Sequence, residues 1–96
     1  MNQGLSIVIP ALNEEENIPK LLEQLDHYFV SYDYEIILID DFSDKKLEEV
    51  LDITLHPNLT ISRNTFRLGQ SDSIMNGIKL ANFNTIGLID GDGQNP

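Results

Sequence analysis

The chain contains no cysteine, few basic residues and no long apolar run. Without cysteine, neither a disulfide nor thiolate chemistry can contribute to its function. Its 6 lysines and arginines stand against 16 aspartates and glutamates, which gives a formal net charge of −10. This balance argues against binding to nucleic acid or to an anionic membrane surface, both of which need a basic patch. A phosphate ligand is still compatible with it, provided that a metal ion bridges the like charges.

Signals for export or membrane insertion are also missing from the sequence. Residues Met1 to Gly4 lack the basic start and apolar stretch of a signal peptide, and no apolar run approaches the length of a membrane span. We therefore expect a soluble chain in the cytoplasm. Its 96 residues suffice for one domain at most, and a hydrophobic content of 41% allows a modest core.

Two hydrophobic periodicities alternate along the chain. β-rich runs occupy 5–10, 35–39, 59–62 and 85–89, and helical spacing occupies 18–29, 46–53 and 69–81. The order β-α-β-α-β-α-β predicts an α/β fold of the Rossmann-like kind, with a parallel sheet and right-handed crossovers. The near-continuous apolar run at 35–39 predicts a strand that is covered on both faces.

The sequence also predicts where the helices begin and which faces they bury. Pro19 is tolerated only in a first turn, so the first helix should follow a tight turn through Glu14–Glu16 with a cap near Asn17. Ser71 or Asp72 is the predicted cap of the third helix. The positions expected to face the core are Leu47, Val50 and Leu51 in the second helix and Ile74, Ile78 and Ala81 in the third.

Polar clusters follow three of the four predicted strands. They are Pro10–Glu14, Asp40–Ser43 and Asp90–Gln94. In parallel α/β sheets, ligands bind beyond the carboxyl ends of the strands. The three clusters therefore predict a ligand site along one edge of the sheet.

Asp90 and Asp92 are the strongest candidates for metal ligands. They follow the apolar run Thr85–Ile89, which is predicted to be a buried strand. Side chains at i and i+2 of an extended segment point to the same side, so both carboxylates can face one cation. Mg²⁺ or Mn²⁺, which prefer oxygen ligands, suit such a pair. An ordinary turn after a strand is the alternative, whereas an EF-hand loop is excluded because Gly93 lies at the wrong loop position.

The acidic residues near the other strand ends each allow two interpretations. Asp41 could be a solvated strand end, or it could accept hydrogen bonds from a base or ribose. In a phospho-receiver domain the acidic pair follows the first strand. In this chain Asp40 and Asp41 follow the second predicted strand, so that domain class is discounted. Glu14 could belong to a helix start, together with Glu15 and Glu16, or to a loop that packs on a nucleotide base.

The basic residues are less informative. Arg63 and Arg67 lie near the predicted site, where they could neutralise a phosphate or merely balance the acids. His27 and His56 are expected to be surface or loop residues. No Ser-His-Asp set, P-loop or Gly-x-Gly-x-x-Gly fingerprint is present.

Together these motifs resemble family 2 glycosyltransferases of the GT-A fold, over nearly the whole chain. Four segments carry the resemblance: the opening strand and loop Ser6–Glu15 (SIVIPALNEE), the acidic strand end Glu35–Asp44 (EIILIDDFSD), the third helix Gly69–Ala81, and the DxD segment Asp90–Pro96 (DGDGQNP). The subgroup that the chain resembles most is the dolichol- or undecaprenyl-phosphate sugar transferases, whose DxD segment continues into Gln and Pro in a similar way.

The resemblance implies a nucleotide-sugar donor bound across the strand ends. By this comparison Pro10, Asn13, Glu14 and Asp41 hold the nucleoside. Asp90 and Asp92 match the pair that holds ribose, metal and diphosphate, and Gln94 matches a position beside the metal. The residues implied as nucleotide-binding are Pro10, Asn13, Glu14, Asp41 and Asp90, and those implied as metal-binding are Asp92 and Gln94.

Members of this family are longer, so the resemblance implies that residues 1–96 form the N-terminal, nucleotide-sugar-binding part of a GT-A domain. The catalytic base is then expected beyond Pro96, and the fragment alone is expected to be inactive. A polyprenyl phosphate at the membrane surface is the implied acceptor, with membrane association of the longer protein. An apolar surface left uncovered by truncation would favour a homodimer.

Two other functions compete with sugar transfer. A nucleotide-binding module without transfer activity would share the same donor site. A nucleotidyltransferase would have a related sheet, but it normally needs a Gly-rich, basic loop after the first strand. The chain has Ala11–Glu15 (ALNEE) at that place, which disfavours this alternative.

Overall fold

A computed structural model describes residues 4–91, which form a four-stranded parallel sheet with helices on both faces. The elements are β1 (Leu5–Ala11), α1 (Ile18–Tyr28), β2 (Tyr34–Asp40), α2 (Leu47–Val50), a 3₁₀ turn (Ile53–Leu55), β3 (Leu59–Arg63), α3 (Gln70–Leu80) and β4 (Thr85–Leu88). The strand order is β3-β2-β1-β4, and every neighbouring pair is parallel. The predicted α/β alternation is therefore confirmed.

β1 and β2 form the centre of the sheet, and their side chains alternate between its two faces. One face packs against α1 and α2, and the other against α3. Because both faces are covered, the sequences of these strands are nearly continuous apolar runs. The larger cluster is Ile7, Ile9, Ala11, Ile18, Leu21, Leu22, Leu25, Ile36, Leu38, Leu47 and Leu51; the smaller one is Val8, Ile37 and Ile39.

The first helix begins as predicted. The N–H groups of Asn17 and Ile18 both donate to the carbonyl oxygen of Glu14, which forms the tight turn before α1. Asn17 is the N-cap residue, and Pro19 lies in the first turn, where its missing N–H costs nothing.

The second helix is shorter than predicted. α2 ends at Val50, and the chain continues through Leu51 in an extended conformation into the 3₁₀ turn. The Asp52 side chain accepts a hydrogen bond from the N–H of Thr54 at 3.1 Å and so begins this separate turn. Leu47 and Leu51 are buried as expected, but Val50 is 41% exposed, so its predicted inward position is wrong.

The third helix packs through small residues, contrary to prediction. Its buried residues are Ser73 and Gly77. Of the positions predicted to face the core, Ile78 is 37% exposed and Ile74 is half-buried, whereas Ala81 packs against the smaller core cluster as predicted. A Cβ atom at Gly77 would collide with Val8 and would lie 3.3 Å from Ile39 Cγ1. The helix therefore lies so close to β1 and β2 that large side chains can only reach the margins of this interface.

We expect Gly77→Ala and Gly87→Ala to change stability in opposite directions. The added methyl at position 77 meets buried Val8, and such overpacking outweighs the better helix propensity of alanine by about 1 kcal/mol. At Gly87 the nearest atom is Leu5 Cδ1 at 3.6 Å, an ordinary contact, so alanine should stabilise the strand slightly. Urea denaturation of both variants measures the difference, and equal effects would contradict the tight packing of α3.

The last strand is an edge strand rather than the buried one predicted. Within residues 4–91, β3 and β4 form the two edges of the sheet. Leu88 is 53% exposed, and Met75 and Leu80 of α3 are also exposed. Homodimer formation through this surface stays a prediction. None of the helices in the described range has the length and apolar character needed to cross a membrane.

Candidate functional site

A cavity of about 350 Å³ lies at the carboxyl ends of the strands. Four of the five residues predicted to bind the nucleotide line it, namely Pro10, Glu14, Asp41 and Asp90. They come from the ends of β1, β2 and β4 and from the loop after β1. The parallel sheet thus brings together residues that are up to 80 positions apart in the sequence, as expected for strands whose carboxyl ends share one edge.

The start of α3 forms another part of the cavity wall. Gly69, Gln70 and Ser73 line it. Gly69 has φ +94°, a conformation that favours glycine, and it takes the N-cap position that was predicted for Ser71 or Asp72. Because α3 begins at the wall, the positive end of its dipole lies there.

Asp41 is buried and holds the loop that leads into α3. Its Oδ1 accepts hydrogen bonds from Asn64 Nδ2 at 2.9 Å and from the N–H of Leu68 at 2.8 Å. Its Oδ2 accepts from the N–H of Gly69 at 3.0 Å. Burial raises the pKa of Asp41, but these hydrogen bonds outweigh it and hold the pKa below its ordinary value. The Ser73 hydroxyl also lowers the pKa of Asp41, so the protein itself satisfies most of the acceptor positions of this carboxylate.

Asp90 lies at the exposed side of the cavity, and its Oδ1 accepts a hydrogen bond from Gln70 Nε2 at 2.9 Å. The adjacent Gly91 is buried against the end of β1. A Cβ atom there would lie 3.0 Å from the carbonyl oxygen of Pro10 and 3.1 Å from Ala11 Cβ. Glycine at this position therefore lets the backbone at Gly91 pass close to the β1 end of the cavity.

Glu14 and Asn13 support the loops around the cavity. Glu14 accepts a hydrogen bond on Oε2 from Asn17 Nδ2 at 2.7 Å. Asn13, whose φ is +54°, does not line the cavity. Its N–H donates to Ser43 Oγ and its Oδ1 accepts from the N–H of Asp44, each at 2.9 Å, so Asn13 joins the loops after β1 and β2. A contact between Asn13 and a nucleoside stays a prediction.

Arg63 and Arg67 do not line the cavity but pair with acids. Arg63 donates to Asp40 Oδ2 at 2.8 Å and to the carbonyl oxygen of Ser43 at 3.0 Å. Arg67 forms an exposed pair with Asp44 at 3.1 Å. For both residues the structure supports the second of the two sequence interpretations, in which they balance the acids.

The charge of the cavity is negative. Glu14, Asp41 and Asp90 line it, and none of the described lining residues is a lysine or an arginine. No cluster of three or more acidic or histidine side chains suited to a metal ion occurs between residues 4 and 91. The predicted metal ligands Asp92 and Gln94 lie outside the described residues, so Asp90 is the only member of the predicted DxD pair with a described position.

Sequence reasoning missed two polar clusters. Asn64 donates to Ser73 Oγ at 3.0 Å and accepts from Asn76 Nδ2 at 3.2 Å, which connects the end of β3 to α3. Asparagine occurs so often in surface loops that its burial carries no sequence signal.

The second cluster lies at the amino end of the sheet, away from the cavity. Asp26 accepts hydrogen bonds from Tyr34 Oη and pairs with His56 Nδ1, both at 2.6 Å. Burial raises the pKa of Tyr34, and the hydrogen bond to Asp26 raises it further. His56 was expected to be a surface or loop residue, and it is a loop residue whose side chain is mostly buried.

Comparison with known proteins identifies sequence relatives of the chain. The family model described as "Glycosyl transferase family 2" matches residues 6–96. Dolichol-phosphate mannosyltransferase from Pyrococcus furiosus is 30% identical over 93 residues, which cover 96% of this chain and 26% of that protein. Undecaprenyl-phosphate 4-deoxy-4-formamido-L-arabinose transferase from Proteus mirabilis is 38% identical over 98 residues, which cover 96% of this chain and 30% of that protein.

A solved structure supports the same fold. The mannosyltransferase from Pyrobaculum calidifontis in complex with GDP-Man and Mn²⁺ superposes with a TM-score of 0.79 at 21% identity, over 92% of this chain and 27% of that one. The parallel α/β architecture is therefore that of GT-A glycosyltransferases. The chain spans less than a third of each of these three proteins.

Proposed function

Because the chain belongs to glycosyl transferase family 2, we propose that residues 1–96 form the nucleotide-sugar-binding part of a glycosyltransferase. The enzyme would transfer a sugar from a GDP- or UDP-sugar to an acceptor. The observation that carries this proposal is the cavity at the carboxyl ends of the strands, which Pro10, Glu14, Asp41 and Asp90 line together.

Asp41, Glu14 and Pro10 are suited to the nucleoside end of the donor. Asp41 is an ionised acceptor in the cavity wall, to which an N–H of the base or a ribose hydroxyl could donate a further hydrogen bond. Asp41 is held rigidly by three hydrogen bonds, so a ligand meets it with little loss of side-chain entropy. Pro10 lies at the end of β1 and Glu14 lies in the loop that follows it, and the base would pack on this part of the cavity wall.

A divalent metal ion fits the charge of this cavity. A nucleoside diphosphate is an anion, and the described lining side chains that carry charge are all carboxylates, so a cation is needed to bind it there. We assign Asp90, Asp92 and Gln94 to this end of the donor, since oxygen ligands suit Mg²⁺ or Mn²⁺. Bound there, the ion would supply Lewis-acid stabilisation of the negative charge that develops on the departing nucleotide.

The two sequence relatives named above are transferases whose names specify dolichol phosphate and undecaprenyl phosphate. By this similarity we assign a polyprenyl phosphate at the membrane surface as the acceptor, and a cytoplasmic, membrane-associated location to the longer protein. A phosphate acceptor is already ionised near neutral pH, so transfer to it needs no general base. For a hydroxyl acceptor, a base from beyond Pro96 would be required.

Calorimetric titration of the chain with GDP and with UDP, each with and without Mn²⁺, tests the donor site. We expect binding that depends on the metal and that favours one of the two bases, because the acidic cavity repels the diphosphate in the absence of a cation. Circular dichroism before each titration shows that the chain is folded.

Two outcomes would contradict parts of the proposal. A folded chain that binds neither nucleotide would mean that these residues do not form a donor site by themselves. Metal-dependent binding together with an absence of sugar transfer by the longer gene product would instead identify the non-catalytic nucleotide-binding module, since that module shares the donor site but not the chemistry.

A further inference from the structure

Gln70 connects the first turn of α3 to Asp90. Its Nε2 donates to Asp90 Oδ1 at 2.9 Å, and both residues line the cavity. Among the residues that the structure describes, no donor contacts the other carboxylate oxygen, Oδ2. The contact thus holds one oxygen of Asp90 and leaves the other available to a ligand.

Hydrogen bonds that are buried or partly buried hold the backbone around Gln70. Gly69, the residue before it, donates its N–H to Asp41 and accepts on its carbonyl oxygen from the N–H of Ser73 at 3.1 Å. Ser73 is fully buried and accepts from Asn64 at 3.0 Å. The first turn of α3 is therefore anchored at the Asp41 end of the cavity while its Gln70 side chain reaches the Asp90 end.

The geometry points to Gln70 as a positioning residue that orients the Asp90 carboxylate toward the metal and diphosphate end of the donor. This inference rests on the proposed function. A primary amide suits the task because it donates a hydrogen bond without adding charge. A lysine or arginine at this position would pair with Asp90 and oppose metal binding, whereas glutamine leaves the full negative charge of Asp90 available to a cation.

The variant Gln70→Met tests this role. Methionine keeps the length and the helix propensity of glutamine but cannot donate to Asp90. We expect the affinity for the nucleoside diphosphate in the presence of Mn²⁺ to fall about fivefold, the effect of losing one hydrogen bond to a charged group that is partly open to water. The weak binding that remains without Mn²⁺, followed by NMR titration, and the midpoint of thermal unfolding should stay unchanged.

Gln24→Met provides the matched control, because Gln24 is an exposed glutamine on α1 that does not line the cavity. Unchanged Mn²⁺-dependent affinity in Gln70→Met would overturn the inference. Equal losses with and without Mn²⁺, together with a lower unfolding midpoint, would also overturn it, since they indicate a purely structural role. If the unaltered chain binds no nucleotide, the proposed function fails as well, and the titration of that chain alone reveals it.

Discussion

Replacing Asp92 with alanine is expected to abolish metal-dependent nucleotide binding and to leave the fold intact. The diphosphate and the carboxylates of the cavity carry charges of the same sign and repel each other. Loss of a metal ligand weakens the binding of the cation that offsets this repulsion. We expect the affinity for GDP or UDP with Mn²⁺ to fall by at least about a hundredfold, or roughly 2.7 kcal/mol. Calorimetry measures the affinity, and urea denaturation measures the free energy of unfolding.

Asp33→Ala is the matched control for this loss. Asp33 is an exposed aspartate just before β2, away from the cavity, and its removal changes the net charge by the same amount. It should bind nucleotide as the unaltered chain does. Metal-dependent binding that survives in Asp92→Ala would refute the assignment of Asp92 as a metal ligand, and a similar loss in both variants would indicate an unspecific effect of charge.

Much of the fold was predictable because the buried strands have simple patterns. Residues 36–39 lie in a central strand with both faces covered, which is why all four of these positions are apolar. The inward face of α3 was not predictable from periodicity. Hydrophobic spacing favoured Ile78, but the closeness of the helix to Val8 selects the small residues Ser73 and Gly77, and no local pattern reveals that distance.

The acidic residues of the candidate site could be predicted from the sequence. The hydrogen bonds that hold them in place could not. Asp41 and Asp90 could be named because each follows a predicted strand, and parallel strands bring such ends together. The hydrogen bonds from Asn64 and Gln70 join positions 20 or more residues apart, so they depend on the register of β3 and α3 against the sheet. The same limit applies to Arg63, whose partner Asp40 precedes it by 23 residues.

Asp40→Ala is expected to destabilise the fold far more than Asp44→Ala. Asp40 is 1% exposed and accepts hydrogen bonds from Arg63 and from the N–H groups of Ser43 and Leu47. Its removal leaves the guanidinium of Arg63 without its carboxylate in a mostly buried position, which costs about 3–5 kcal/mol. Asp44 forms the matched but exposed pair with Arg67, and its removal should cost less than about 1 kcal/mol. Urea denaturation at neutral pH measures both.

The cost of Asp40→Ala should also depend on pH. Burial raises the pKa of Asp40, but hydrogen bonds from Ser43, Leu47 and Arg63 outweigh it and lower the pKa in the folded chain. The charged carboxylate therefore stabilises the fold fully above the pKa of an unfolded aspartate, which is about 4, and this stabilisation is lost as the pH falls through the lower folded value. The difference in unfolding free energy between the unaltered chain and Asp40→Ala should then be constant from about pH 7 to pH 5 and shrink below about pH 4. A difference that stays constant down to about pH 3 would mean that the ionised carboxylate is not what holds Arg63 and the two loop N–H groups in place.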